Sequence, residues 1–277
     1  VYAGVGKSDK EIRTALQGGI FCFNCESVPE IRIINDLASQ MGRTARISLR
    51  LNPNIDAHTN KHITTGRSRD KFGISEWMLD EVLQVIAACS NLKLIGLHFH
   101  IGSQIEDLKV FEKLCSKVNS FQRWFEEQNI RLEHINLGGG IAIDYNDPFK
   151  NPFSPFESYF KTINEKLEVR KGQKIHFEPG RALVAQAGYL ISRVLYIKIG
   201  KGKKFAILDA GMNDLIRPAL YGASHAIFNI TSDSQKNEVY DVVGPVCESA
   251  DRFGLAVKLP VTARGDLIAI CSAGAYG

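Results

Sequence analysis

Apolar residues along this chain recur with two spacings that take turns. Short, nearly continuous apolar runs predict buried strands, and longer stretches with apolar residues every three or four positions predict helices. Val1 to Gly4 is the first such strand. Ser8-Asp9-Lys10-Glu11 then reads as a capping box opening a helix that Gly18-Gly19 closes. The alternation continues with a strand over Ile20 to Asn24, a helix over Pro29 to Gln40 that stops before Gly42, and a strand over Ile47 to Leu51. A polar loop from Asn52 to Lys71 follows. Ser75 then caps a helix with Leu79, Val82 and Ile86 on one face, ending near Cys89. Strands at Leu94 to His100, Ile135 to Leu137 and Lys174 to Phe177 come next, with helices at Leu108 to Glu127 and Pro155 to Val169 between them.

Strands alternating with helices build parallel βαβ units, and eight such units close a (β/α)₈ barrel. The strands beginning at Val1, Ile20, Ile47, Leu94, Ile135 and Lys174 predict an α/β chain carrying strands three to eight of a TIM-type barrel. Two further units are expected upstream of Val1. An open parallel sheet covered on both faces meets the same pattern. After Arg181 the rhythm changes: Gly188 to Lys198, Lys204 to Leu208, Val239 to Val243 and Asp266 to Cys271 are β-rich runs with little helical period between them. They predict a second, all-β domain. The expected division is residues 1–187 for the barrel, incomplete at its N-terminus, and 188–277 for a β domain that continues past Gly277.

Composition narrows the partners. A net charge of +4, spread without a basic block, disfavours nucleic acid, and no apolar run is long enough to span a membrane. Six scattered cysteines in a chain of 277 residues read as reduced thiols in a cytoplasmic protein. Cys22 and Cys25 form a C-x-x-C, but an i, i+3 pair in a strand points to opposite faces, which suits core cysteines better than a redox pair.

In barrels the chemistry gathers at the C-terminal ends of the strands. Phe177 is followed there by Glu178-Pro179-Gly180-Arg181, a carboxylate, a rigid turn, a glycine and a guanidinium, a set that suits a ligand with a cationic ring and an anionic phosphate. It is also an ordinary Pro-Gly turn. The preceding strand ends in Gly138-Gly139-Gly140, whose backbone can approach an anion closely. His98 and His100 share one face of their strand. They could be a metal pair, satisfied core histidines, or, for His100, a ring stacked on an aromatic ligand. No Cys, Asp or third His accompanies them, which argues against metal.

These segments, with His100-Ile101-Gly102-Ser103-Gln104, Asp209-Ala210-Gly211-Met212-Asn213-Asp214, Arg217-Pro218-Ala219-Leu220-Tyr221, Gly244-Pro245-Val246-Cys247-Glu248-Ser249 and Gly274-Ala275-Tyr276-Gly277, resemble the diaminopimelate decarboxylase family in order and spacing over the whole chain. Those are alanine-racemase-like, fold-type III enzymes dependent on pyridoxal 5'-phosphate (PLP). The resemblance implies a homodimer with shared active sites, decarboxylation of meso-2,6-diaminopimelate to L-lysine, and a cofactor-bearing lysine on the upstream strands. Neither Lys7 nor Lys71 lies in a segment like that lysine's.

By the same resemblance Glu178 partners the pyridine nitrogen, with Pro179 in its turn, and His100 stacks on the ring. Gly138, Gly139, Gly140, Gly180, Arg181 and Tyr276 meet the phosphate, helped by Ser103. Arg181, Arg217, Tyr221 and Tyr276 receive the distal end of the substrate, its carboxylate on the arginines and Tyr221. Glu248 takes its ammonium, and Cys247 donates a proton after CO₂ loss. An ornithine or arginine decarboxylase would leave Arg217 an unpaired charge. A carboxynorspermidine decarboxylase and a non-catalytic, antizyme-inhibitor-like binding protein are the remaining alternatives.

Overall fold

The computed structural model describes residues 1–57, 65–66 and 71–277. Two compact units divide them, one formed by Val1–Gly140 and Pro155–Pro179, the other by Ile141–Ser154 and Gly180–Gly277. The second unit therefore begins before the first of its long strands and recruits a segment that strand content alone assigned to the barrel.

In the first unit the elements run α1 (Asp9–Gln17), β1 (Phe23–Cys25), α2 (Val28–Gln40), β2 (Ala45–Asn52), β3 (Ile74–Ser75), α3 (Leu79–Ala88), β4 (Leu92–His98), α4 (Lys109–Glu127), β5 (His134–Asn136), α5 (Phe156–Lys166) and β6 (Lys174–His176). The parallel sheet follows chain order, β1-β2-β4-β5-β6, with β3 paired to β2 off the main path. Such an order has no switch point. The winding keeps one direction throughout, as in a (β/α)₈ barrel and unlike a doubly wound sheet.

Each strand buries two faces of different character. On one lie Ile47, Leu49, Leu51, Ile95, Leu97, Phe99, Ile135 and Leu137, all essentially inaccessible. This face meets the helices: Phe99 stacks on Phe121 of α4 at 5.9 Å, and Phe177, just past β6, is edge-on to Tyr159 of α5 at 6.0 Å. The other face is polar yet also buried, with Asn24, Ser48, Arg50, His98 and Asn136. Register aligns these residues, because Arg50 pairs with His98, His98 with Asn136 and Asn136 with His176. Cys22 and Cys25 are buried and unbonded to each other, in keeping with core cysteines.

Local signals place most boundaries well. Ser8 and Glu11 form the reciprocal capping box, and Gly19 past the end of α1 takes φ +63°. Two expectations need correction. Val1 to Gly4 is not a full strand; only Tyr2 bridges, to Phe23. Ser75 makes no side-chain cap, because a single 3₁₀ turn at Glu76–Met78 intervenes before α3. The polar loop expected over Asn52 to Lys71 falls largely on residues 58–64 and 67–70, outside the described residues.

The second unit holds α6 (Gly180–Val184), β7 (Leu190–Gly200), β8 (Lys203–Leu208), α7 (Arg217–Tyr221), β9 (Ile227–Asn229), β10 (Asn237–Val243), β11 (Arg252–Pro260) and β12 (Leu267–Ile270). Its sheet runs β11-β10-β8-β7-β12-β9, antiparallel except for β8 with β10. Val194, Leu208, Tyr240, Val242, Phe253, Ile268 and Ile270 are central to its core. Strands β9 and β11 escape the sequence pattern. β9 is too short to show a period, and β11 is broken by Gly254 and by Ala256 at φ +51°, where its register with β10 slips. Among the described residues no helix is long and apolar enough to cross a membrane.

Strand spacing in the first unit yields a direct test. Gly96 pairs with His134, and a Cβ on Gly96 would lie 2.1 Å from the His134 carbonyl oxygen. Backbone on a paired strand cannot swing aside. We expect Gly96→Ala to destabilise the protein by about 1–3 kcal/mol, read as a lower urea midpoint at unchanged slope; an unchanged midpoint would contradict the packing.

Candidate active site

Glu178 follows β6 and is the focus of the first unit's polar face. Its Oε1 accepts a 2.7 Å hydrogen bond from the Asn136 side-chain amide, and the same residue's Oδ1 accepts one from the Gly138 N–H at 2.9 Å. One buried amide thus fixes both the carboxylate and the glycine turn. His98 faces the other oxygen, its Nε2 3.6 Å from Oε2. That imidazole draws the Glu178 carboxyl down to about 2, against the desolvation that burial imposes, and Asn136 adds to the effect. Burial keeps His98 itself from charging. The contact is therefore a neutral ring beside a carboxylate, and neither ring nitrogen of His98 has a hydrogen-bond partner among the described residues.

Gly138, Gly139 and Gly140 are demanded by packing in their own right. Gly138 has φ +70° and Gly140 φ +112°, and a Cβ on Gly139 would overlap the Glu178 carbonyl oxygen at 2.2 Å. The Gly138 carbonyl accepts the Glu178 N–H at 2.8 Å. Two of the three amides that a phosphate cradle would use are engaged inward: Gly138 N–H on Asn136 and Gly139 N–H on His100 Nδ1 at 3.3 Å. Accepting at Nδ1 leaves the His100 proton on Nε2. Burial, the Arg50 charge and His98 push His100 down to about 4. Ser103 is half-buried beyond Gly102.

The charges around this face are already paired. Arg50 donates to Glu26 at 2.8 Å, both buried. Lys7 uses its ammonium on the Gly4 and Asn24 carbonyls, at 2.8 Å each, and on Glu30. A lysine so bound has no free nucleophilic nitrogen. Among the described residues no three His, Cys, Asp or Glu side chains gather at metal-binding distances.

The second unit assembles a cationic cluster. Arg181, on α6, is buried, hydrogen-bonds the Tyr145 hydroxyl and lies 4.7 Å over the Tyr276 ring. Tyr276 is 64% exposed, and its hydroxyl would be 3.0 Å from a Cβ on Gly180. Arg217, on α7, is 5% exposed, with its guanidinium 4.0 Å over the Tyr145 ring. Its Nη1 meets His225 Nε2 at 3.0 Å, and its Nε has no partner. Among the described residues it pairs with no carboxylate. Burial, with the Arg217 and Arg181 charges, pushes His225 down to about 4 against the main-chain contact with Cys271, which favours the charged ring. Tyr221 closes α7 and is half-buried; Pro179, at the end of the first unit, is half-buried too.

Cys247 and Glu248 lie exposed on a loop after β10. Buried Asp251 fastens that loop, its Oδ2 accepting Val246 N–H and its Oδ1 accepting Met212 N–H, both at 2.7 Å. Gly244 is tight against it, since a Cβ there would lie 2.4 Å from Oδ2. Tyr145, His225 and Asp251 were not among the residues the sequence singled out, and Asn136 entered only as the first residue of the Asn136-Leu137-Gly138-Gly139-Gly140 segment, with no role of its own. Asn136 carried a signal, being a polar residue at the end of a strand just before three glycines. Asp251 follows two residues after the Gly-Pro-Val-Cys-Glu-Ser run. Nothing local marks Tyr145 or His225.

Residues 1–185 match the family model for the pyridoxal-binding domain of pyridoxal-dependent decarboxylases. Over 277 residues the chain is 55% identical to a diaminopimelate decarboxylase of Bacteroides thetaiotaomicron, covering all of this chain and 72% of that one. It is 44% identical over 278 residues to that of Haemophilus influenzae, covering 66% of its length. The solved diaminopimelate decarboxylase of Helicobacter pylori, complexed with L-lysine, superposes with a TM-score of 0.91 at 42% identity, over 99% of this chain and 68% of that one. The chain thus spans about two thirds of the length of the relatives it matches.

Two measurements test the site. Asn136→Ala removes one of the bonds that hold the Glu178 carboxylate, so the Glu178 pKa should rise in a carboxyl NMR titration; an unmoved titration would exclude the role. Separately, His100 and His225 take up protons only near 4 when folded, against an ordinary value of 6.5. The unfolded chain therefore binds more protons between those limits, and stability should fall as pH drops from 6.5 toward 4. Urea midpoints flat across that window would refute it.

Proposed function

The chain belongs to the diaminopimelate decarboxylases, a family of pyridoxal-dependent carboxy-lyases, and on that premise we propose that the whole protein converts meso-2,6-diaminopimelate to L-lysine and CO₂. We read it as a cytoplasmic homodimer serving lysine biosynthesis. PLP, when bound, supplies an electron sink for the pair left as CO₂ departs. The residues present fit that cofactor. Glu178 stays ionised and more than a third exposed, with one oxygen fixed by Asn136, so it can partner a protonated ring nitrogen. His100 is the neutral ring that stacks on the cofactor. By the family resemblance, Gly140 and Ser103 of the first unit and Gly180, Arg181 and Tyr276 of the second are the residues that would meet the phosphate, while Gly138 and Gly139, their amides engaged, shape the turn beside Pro179.

The observation that carries the substrate assignment is Arg217, a buried guanidinium without a carboxylate among the described residues. An uncompensated buried charge is costly unless a ligand completes it. The distal carboxylate of diaminopimelate does so, together with Arg181 and Tyr221, in a charge-assisted contact. Ornithine and arginine lack that carboxylate, so they would leave the charge unmet.

Glu248, exposed on its loop, takes the distal ammonium, and Cys247 delivers a proton to the α-carbon after CO₂ loss, both acting in the site of the second copy. Asp251 holds that loop in shape. For the full-length enzyme we expect turnover of meso-diaminopimelate with little of ornithine. Cys247→Ala should keep the cofactor's absorbance and lower lysine formation by about 10²–10⁴-fold. Unchanged lysine formation would remove Cys247 from the role, and preferred turnover of ornithine would overturn the substrate.

A further inference from the structure

Buried arginines are ordinarily met by carboxylates, as Arg50 is by Glu26. Arg217 is met instead by an imidazole. His225 is 7% exposed, and its two ring nitrogens have partners that leave no choice of tautomer. Nδ1 lies 2.7 Å from the Cys271 carbonyl oxygen, which can only accept, so Nδ1 carries the proton. Nε2 lies 3.0 Å from Arg217 Nη1, which can only donate, so Nε2 offers its lone pair. A protonated ring would lose this bond and set a second cation against the guanidinium.

Burial and the charges facing His225 favour the neutral form, and they outweigh the Cys271 carbonyl, whose hydrogen bond acts the other way. Tyr145 packs edge-to-face at 4.9 Å and offers no negative charge. Arg217, on α7, and Arg181, on α6, both disfavour a charged imidazole. The Cys271 carbonyl follows β12 and fixes the ring from the far side. Arg217 is thus oriented by a hydrogen bond at Nη1 and by the Tyr145 ring beneath it, and neither neutralises it.

We propose that His225 is a specificity-determining positioning residue: a neutral acceptor that aims Arg217 while leaving its full charge for a substrate carboxylate. A carboxylate in its place would hold the guanidinium equally well but would also satisfy it, and the diacid substrate would then compete with an internal ion pair. The role deepens the reading of Arg217 given above and rests on it.

The test uses the full-length holoenzyme and two variants of equal size. His225→Gln retains a neutral acceptor of similar reach, and His225→Glu adds a charge. We expect the Gln variant to stay within about threefold of wild-type KM for meso-diaminopimelate. The Glu variant should raise KM more than about tenfold with kcat nearly unchanged, a loss of binding common to ground and transition states. Calorimetric binding of pimelate, a seven-carbon diacid, should weaken in parallel. Equal effects of Gln and Glu overturn the proposal alone if Arg217→Gln weakens both substrate and pimelate. An Arg217→Gln variant with unchanged KM and unchanged pimelate binding overturns the underlying reading, and this proposal with it. Independently of folding in any variant, nitrogen NMR of the wild type should show His225 as the neutral Nδ1–H tautomer from pH 5.5 to 8 (about the range in which free histidine titrates). A protonated ring or the opposite tautomer there would refute it.

Discussion

The amide of Asn136 joins the two parts of the first unit's site that must not drift apart. Its nitrogen holds the Glu178 carboxylate and its oxygen holds the Gly138 amide, and the Gly138 carbonyl returns a bond to the Glu178 backbone. The carboxylate and the glycine turn therefore move as one body. The close approach that makes this possible also forbids side chains, since a Cβ on Gly139 would overlap the Glu178 carbonyl. Glycine is required there by packing before any ligand is considered, and a phosphate must then rely on donors other than the two inward-facing amides.

A second regularity concerns charge. The histidines nearest the fixed charges are kept neutral: His98 and His100 by burial on the polar strand face, His225 by burial and by the guanidinium beside it. Neutral imidazoles can orient a charged group without cancelling it. Among the described residues Glu178 and Arg217 have no fully charged partner inside the chain, whereas Arg50 and Lys7 are matched internally by Glu26 and Glu30. The contrast separates charges that hold the fold from charges available to a ligand, and pyridoxal-dependent chemistry on a diacid needs one of each sign.

Much of the barrel was legible because its signals are local. The Ser8–Glu11 capping box spans one helical turn, and two-faced strand alternation needs only a few residues to show itself. Local signals failed where the backbone breaks its own period, at the kinked β11, or where a run is too short, at β9 and at Tyr2. The grouping of the chain into compact units leaves no local mark either. Ile141–Ser154 joins the second unit through packing, and nothing in its composition marks that choice.

By itself the sequence determined the α/β winding, the glycine run, the carboxylate at Glu178 and the arginine at Arg217, because each depends on residue type and near neighbours. Tertiary structure alone decided which groups complete them. His225 finds the Cys271 carbonyl 46 residues away and Asp251 finds Met212 across 39, pairings that chain order cannot specify. A residue type states which bonds a side chain can make; only the folded chain selects which it does make, and so which charges remain for the substrate.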